Sequence, residues 1–312
     1  MQTIDGSSSG NMAFGPCVQT VGFFDGVHRG HQFLLRQVTD EAAKRGLQSM
    51  VVTFRQHPRQ VLDPSDRVPQ LTSLQEKLQL IGQCGVDYVA LLDFTPQLAQ
   101  TDARQYMEKI LRDQFHGKVL VTGYDNRFGK RDGKGFDDYR LYGEELGIEV
   151  VRALPLPDPS GLRASSTAVR NALAEGDAAT AARILGRPYS MSGTVVHGQA
   201  IGRTLGFPTA NISLDSPDKL VPKAGVYAAR VSLGDSSLRG MLYIGNRPSV
   251  RNHPELHIEV NLLDFNGEIY GRRICISVID HIRDEQRFES LDQLQEQLAK
   301  DRQKTIRLTE EK

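Results

Sequence analysis

Gly22-Phe23-Phe24-Asp25-Gly26-Val27-His28-Arg29-Gly30-His31 stands between an apolar run, Cys17-Val18-Gln19-Thr20-Val21, and an amphipathic one carrying Phe33, Leu34, Leu35, Val38, Ala42 and Ala43. That order reads as strand, glycine-rich turn, helix. Two histidines three residues apart, with Gly30 between them, fall where the helix begins. A helix N-terminus presents unpaired backbone N–H groups and a partial positive charge, so it favours phosphate. Imidazoles there add donors, and Gly30 lets a polyphosphate approach the backbone closely. Two other readings stand beside this one. The histidines can cap the helix, or they can ligate a metal, although no Cys or carboxylate cluster lies near and Asp25 is a single acid. The place of the turn, directly after a strand, is where open α/β sheets bind their ligands.

Outward from this turn the first half of the chain alternates. Strand-like runs at Ser49–Phe54, Tyr88–Leu92, Val119–Thr122 and Glu149–Val151 are separated by helical patterns near Leu74–Cys84, Asp102–Phe115 and Tyr139–Leu146. This order predicts a parallel sheet covered on both faces. Ser166–Leu185 reads as two short helices parted by Gly176-Asp177, with Gly186 as a C-cap. After Arg187-Pro188-Tyr189 the texture turns to short β-rich runs: Gly193–Val196, Val226–Leu233, Gly240–Ile244, Leu256–Phe265 and Ile269–Ile282. Asn266-Gly267 between the last two predicts a type I′ hairpin, and the whole predicts a small antiparallel barrel. Ser290–Arg302 reads as an amphipathic helix. The expected division is therefore 1–186 and 187–312.

At 312 residues the chain is long enough for two domains with ordinary cores. Lysine plus arginine and aspartate plus glutamate each number 38, so the net charge is zero and gives no case for nucleic acid or a membrane surface as partner. Three scattered cysteines and the lack of a long apolar run or signal peptide fit a reducing cytoplasm. Gly6-Ser7-Ser8-Ser9-Gly10 reads as a flexible segment. Oligomeric state is not legible.

Gly22–His31, followed by Thr53-Phe54, His57-Pro58, Asp93-Phe94-Thr95, Gly123-Tyr124-Asp125-Asn126-Arg127-Phe128-Gly129 and Ser165-Ser166-Thr167, resembles the prokaryotic bifunctional riboflavin kinase/FAD synthetase family from about residue 15 to 305. The resemblance implies an α/β fold: an N-terminal Rossmann-like nucleotidylyltransferase domain, then a six-stranded antiparallel riboflavin kinase barrel with a C-terminal helix. It implies that FMN attacks the α-phosphorus of ATP, with Mg²⁺ bridging the phosphates and no protein nucleophile, so that positioning and charge neutralisation do the work. His28 and His31 are then the catalytic pair, Gly22, Phe24 and Gly30 their phosphate-binding surroundings. Ser165, Ser166, Thr167 and Arg170 form a second phosphate clamp. Without the resemblance that segment is an ordinary Ser/Thr cap. Phe54, Asp125, Asn126, Arg127 and Phe128 are assigned to the flavin, though Asp125 and Asn126 also suit an Asx turn and the aromatics suit a core. Gln56 stands where relatives often have proline.

In the second half Gly198, Gly202-Arg203, Gly206 and Pro208-Thr209-Ala210-Asn211 resemble the kinase module. Glycines there leave room for phosphate. The Thr209 hydroxyl and Asn211 carbonyl are hard oxygens suited to Mg²⁺. In Leu256–Phe265 period-two alternation puts Ile258, Val260 and Leu262 on one face and His257, Glu259 and Asn261 on the other. Family position selects Glu259 as the base for the ribityl hydroxyl. Asn261, where many relatives carry His, is given no proton-transfer role. Arg283-Asp284-Glu285 with Phe288 reads either as a flap over the flavin, with Arg283 a contact, or as a charged surface turn. The expected function is phosphorylation of riboflavin to FMN and adenylylation of FMN to FAD, with small-molecule partners only. The alternatives are a chain with one working half and a non-catalytic flavin or nucleotide sensor.

Overall fold

The computed structural model describes residues 1–7, 14–63, 65, 68–123, 127–130, 133–157, 161–198, 206–247 and 255–310. These form two compact units that meet in sequence at Leu162/Arg163.

In the first unit six strands, β1 (Gln2–Asp5), β2 (Cys17–Val21), β3 (Gln48–Phe54), β4 (Tyr88–Leu92), β5 (Gly117–Thr122) and β6 (Glu149–Arg152), lie in the order β1-β4-β3-β2-β5-β6. Every neighbouring pair is parallel. The helices between them are α1 (Arg29–Arg45), α2 (Pro58–Leu62), α3 (Leu74–Gln83), α4 (Pro96–Gln100), α5 (Ala103–Tyr106), continued by a wider π-helical stretch to Gln114, and α6 (Phe136–Leu146). Side-chain alternation sends Val18, Val51, Val89, Val119 and Val121 to a core with α1 and α3. Cys17, Met50, Val52, Ala90 and Leu120 go to the opposite core with Tyr106, Met107, Phe115 and Tyr139. A sheet buried on both faces needs such nearly continuous apolar strands. Strand order reverses between β2 and β5, so the crevice beyond Val21 and Thr122 is where this topology binds ligands.

Two features of this unit depart from expectation. Gln2–Asp5 forms an edge strand against β4 although only four residues long. Gly6 and Ser7, read as flexible, are held: the Gly6 N–H donates to the Leu91 carbonyl at 2.8 Å and the Ser7 hydroxyl to Asp93 at 2.8 Å. Ser8, Ser9 and Gly10 lie outside the described residues.

The second unit begins with α7 (Ser166–Ala174) and α8 (Ala178–Leu185), the latter capped by Asp177 and closed by left-handed Gly186. A closed antiparallel barrel follows: β7 (Tyr189–Val196), β8 (Ala210–Leu214), β9 (Gly225–Leu233), β10 (Ser236–Arg247), β11 (Glu255–Leu262) and β12 (Arg273–Arg283), in the order β10-β11-β8-β7-β12-β9. Helix α9 (Leu291–Glu310) runs well beyond the expected Arg302. The Asn266-Gly267 hairpin does not form, because β11 pairs with β10 and β8 while β12 pairs with β7 and β9. The tight hairpin lies instead at Gly234-Asp235, where Leu233 faces Ser236 and Gly234 takes a φ of 58°. Barrel closure overrides a local turn signal, since every strand needs two neighbours and β11 already has them.

Candidate active sites

The turn after β2 is strained. Phe24, Gly26 and Val27 all have positive φ (57°, 78° and 39°), and a β-branched residue in that region is an outlier. Bonds from a distant segment hold it there. The buried Asp25 carboxylate accepts from the N–H of Leu71 at 2.9 Å and of Thr72 at 3.1 Å. The Thr72 hydroxyl accepts from the Gly26 N–H at 3.1 Å. One residue on, Ser73 and Glu76 close a capping box that starts α3. Sequence reading treats Asp25 as an isolated acid. Its backbone partners carry no side-chain signal, so the tether is visible only in three dimensions.

His28 is buried and caps α1, its Nδ1 accepting from the His31 N–H at 3.3 Å. Its remaining proton is therefore on Nε2 when the ring is neutral. The two imidazoles stack with centroids 3.6 Å apart, and Phe24 meets His31 edge-on. Burial first, and the nearby His28 second, hold the His31 pKa well below the usual imidazole range. His31 is thus neutral at pH 7, and its buried Nδ1 has no hydrogen-bond partner among the described residues. Gly30 lies between the two histidines in sequence and Gly22 precedes them, its N–H bonded to the Val52 carbonyl at 3.1 Å.

Lys77, absent from the sequence reading, is buried beside this turn. Its Nζ donates to the Phe54 carbonyl at 2.7 Å and sits 4.1 Å from the centre of the Phe23 ring. Burial pushes its pKa down to about 8, against an opposing pull from Asp25. A lysine in a helical stretch reads as solvated surface, which is why it escapes notice. Of the flavin candidates, Phe54 meets Phe94 edge-on and Phe128 stacks on Tyr139 at 4.3 Å, both within the core. Arg127 is exposed. Asp125 and Asn126 lie outside the described residues.

On the second unit, Ser165 caps α7 by accepting from the Ala168 N–H, Ser166 opens that helix, Thr167 is exposed and Arg170 lies one turn in. In the barrel, register places Asn211 opposite Glu259 and Ala210 opposite Val260. The Thr209 hydroxyl donates to a Glu259 carboxylate oxygen at 2.9 Å. Gly198 lies under the Asn211 amide: a Cβ there would come within 2.0 Å of Nδ2. Gly206 takes a φ of 79° just before Pro208. Ile258, Val260 and Leu262 are buried as alternation requires, but so is Asn261, which shares the Glu259 face and donates from Nδ2 to the Pro208 carbonyl at 2.7 Å. Arg283 pairs with the buried Asp301 of α9 at 2.9 Å. Gly202 and Arg203 lie outside the described residues.

Family profiles match both halves, FAD synthetase over residues 11–168 and riboflavin kinase over 185–309. The bifunctional riboflavin kinase/FMN adenylyltransferase of Escherichia coli K12 is 41% identical over 286 residues, covering 91% of this chain and 90% of that protein. Its counterpart from Listeria monocytogenes is 37% identical over 92% of this chain and 91% of its own length. A solved structure described as a macrolide-efflux protein from Streptococcus pneumoniae superposes with a TM-score of 0.89 at 34% identity, covering 97% of this chain and 98% of that one. No helix among the described residues is long and apolar enough to cross a membrane. With both profiles and both relatives agreeing along nearly the whole length, the chain belongs to the family of bifunctional riboflavin kinase/FMN adenylyltransferases and is a transferase with both activities.

Proposed function

We propose that the strained turn after β2 is where FMN is joined to the adenylyl part of ATP, with His28 and His31 stabilising the charge that develops on the phosphates. The observation that supports this assignment is the stacked imidazole pair at the N-terminus of α1, on the carboxyl edge of a parallel sheet. The FMN phosphate is itself the nucleophile, so the protein orients and neutralises. With His28 Nδ1 engaged by its own helix, Nε2–H is the group that meets a phosphate oxygen. Neutral His31 donates a hydrogen bond without the cost of a buried charge. Gly22, Phe24 and Gly30 shape this phosphate site. Ser165, Ser166, Thr167 and Arg170 also bind ATP phosphates. Phe54, Asp125, Asn126, Arg127 and Phe128 face the FMN, the two phenylalanines as walls.

In the barrel Glu259 takes the proton of the ribityl 5′-hydroxyl as it attacks the γ-phosphorus of ATP. The hydrogen bond from Thr209 orients the carboxylate. The Thr209 oxygen and the Asn211 amide oxygen are hard donors two residues apart and would hold Mg²⁺. When bound, the ion would supply charge neutralisation at the phosphates. Gly198, Gly202, Arg203 and Gly206 line the ATP phosphates, and Arg283, anchored by Asp301, serves the flavin side. Functionally the division is 1–186 and 187–312, with α7 and α8 counted in the adenylyltransferase half. The enzyme works in the cytoplasm on small molecules, with neither nucleic acid nor membrane as partner.

The test uses the full chain with riboflavin, ATP and Mg²⁺, following FMN and FAD by chromatography. His28→Ala should abolish FAD formation while FMN accumulates. Glu259→Ala should block FMN formation yet leave added FMN convertible to FAD. Either variant disabling both steps while remaining folded overturns the separation.

A further inference from the structure

Strand β8 begins abruptly. Its ladder with β11 pairs Asn211 with Glu259 and Ala210 with Val260, and continuing that register would set Thr209 opposite Asn261. There the pairing ends. Pro208 has no N–H to give, and two residues earlier the chain turns through left-handed Gly206. The residues assigned to the metal, Thr209 and Asn211, thus sit at a strand end, where backbone ordinarily frays.

Asn261 bridges the gap. Its own backbone is fixed by the β10 ladder, opposite Met241. Its side chain is 5% exposed and donates to the Pro208 carbonyl at 2.7 Å. That acceptor settles which amide atom points there, since only the NH₂ group can donate. The bond extends the sheet by one side-chain rung past its last backbone rung, next to the Thr209–Glu259 bond. We infer that Asn261 is a positioning residue for riboflavin phosphorylation: its amide clamps the Pro208 carbonyl and so fixes Thr209 and Asn211 in the geometry that meets Glu259 and would hold Mg²⁺. This rests on the assignment of phosphoryl transfer to Glu259.

Asn261→Leu is close in volume, suits a buried site and lacks the donor. Asn261→His keeps a ring N–H able to reach a carbonyl. In the full chain Asn261→Leu should lower kcat/KM for riboflavin phosphorylation about tenfold, the scale of one hydrogen bond lost with its acceptor left unpaired. The loss should appear in kcat and in the KM for Mg·ATP, and Mg·ADP should bind more weakly by calorimetry. Conversion of added FMN to FAD should be unchanged, and Asn261→His should recover most of the lost rate. Unaltered kinase kinetics in Asn261→Leu would overturn the inference. So would a His variant as impaired as the Leu variant, because packing alone would then explain both. Kinase activity surviving in Glu259→Ala would overturn the underlying assignment instead, a result separate from either.

Discussion

The two proposed reaction sites of this enzyme are held in place by opposite means. The histidine turn of the first unit is local in sequence, ten residues from Gly22 to His31, but its conformation is unfavourable and is imposed from outside by Asp25 reaching Leu71 and Thr72. The proposed kinase site is dispersed in sequence, Thr209 lying 50 residues from Glu259, yet among its described residues only glycine has a positive φ. Ladder register brings its parts together, and side-chain rungs finish what the ladder leaves open. A compact motif therefore need not be self-sufficient, and a scattered one need not be fragile.

The sharpest way to break this contrast is Asp25→Ala. It strands the two buried backbone donors of Leu71 and Thr72, which should cost the first unit roughly 3–5 kcal/mol, and it frees Phe24, Gly26 and Val27 to leave left-handed geometry. FAD formation should fall with the first unfolding transition, and FMN formation should persist. Equal loss of both activities would mean the tether is not specific to the turn.

Lys77 gives the next largest effect, and one that pH reveals. Its folded pKa, about 8, lies below the unfolded value of 10.5, so the unfolded chain binds more protons between those limits. Stability must then rise with pH across that window, and the burden at neutral pH is about 3 kcal/mol. Chemical denaturation at pH 7.5 and pH 10 should show the wild type gaining on Lys77→Met by roughly 2 kcal/mol, most of that burden. A constant difference between the two would remove Lys77 as a buried cation.

Gly198→Ala probes the other side of the comparison. The new methyl group would overlap the Asn211 amide, which must swing aside. Kinase kcat/KM should fall about tenfold with the barrel still folded, because a side chain moves more cheaply than a strand. Smallest is Ser73→Ala, which opens the capping box of α3 just beyond the tether. It should cost about 1 kcal/mol and slow FAD formation only slightly. A large loss there would show that the turn depends on the whole helix rather than on Asp25.

Much of this was readable in the residues. Apolar runs of strand length alternating with helical patterns give the parallel sheet, and Ser165, Asp177 and Gly186 sit at the helix ends their types predict. What escaped reading is non-local. The four-residue strand Gln2–Asp5 is too short to show a period, and its support comes from β4. Asn266-Gly267 carries a hairpin signal that barrel closure overrules, whereas the modest Gly234-Asp235 makes the real one. Strand β8 hides behind Pro208 because only its pairing with β11 and β7 makes Ala210–Leu214 extended. Lys77 and Asn261 look like surface positions, and each is defined by the single carbonyl it finds.

The reach from Asp25 to Leu71 also sets an order of events during synthesis. A ribosome that has delivered the chain only as far as Pro58 has released the whole of Gly22–His31, with α1 and β3 to pack against it. The segment that bends the turn is 46 residues behind Asp25 and still inside the machinery. Until it emerges, Val27 has no reason to leave ordinary backbone geometry. The histidine turn is thus a late product of its own domain, complete in sequence well before it exists in shape.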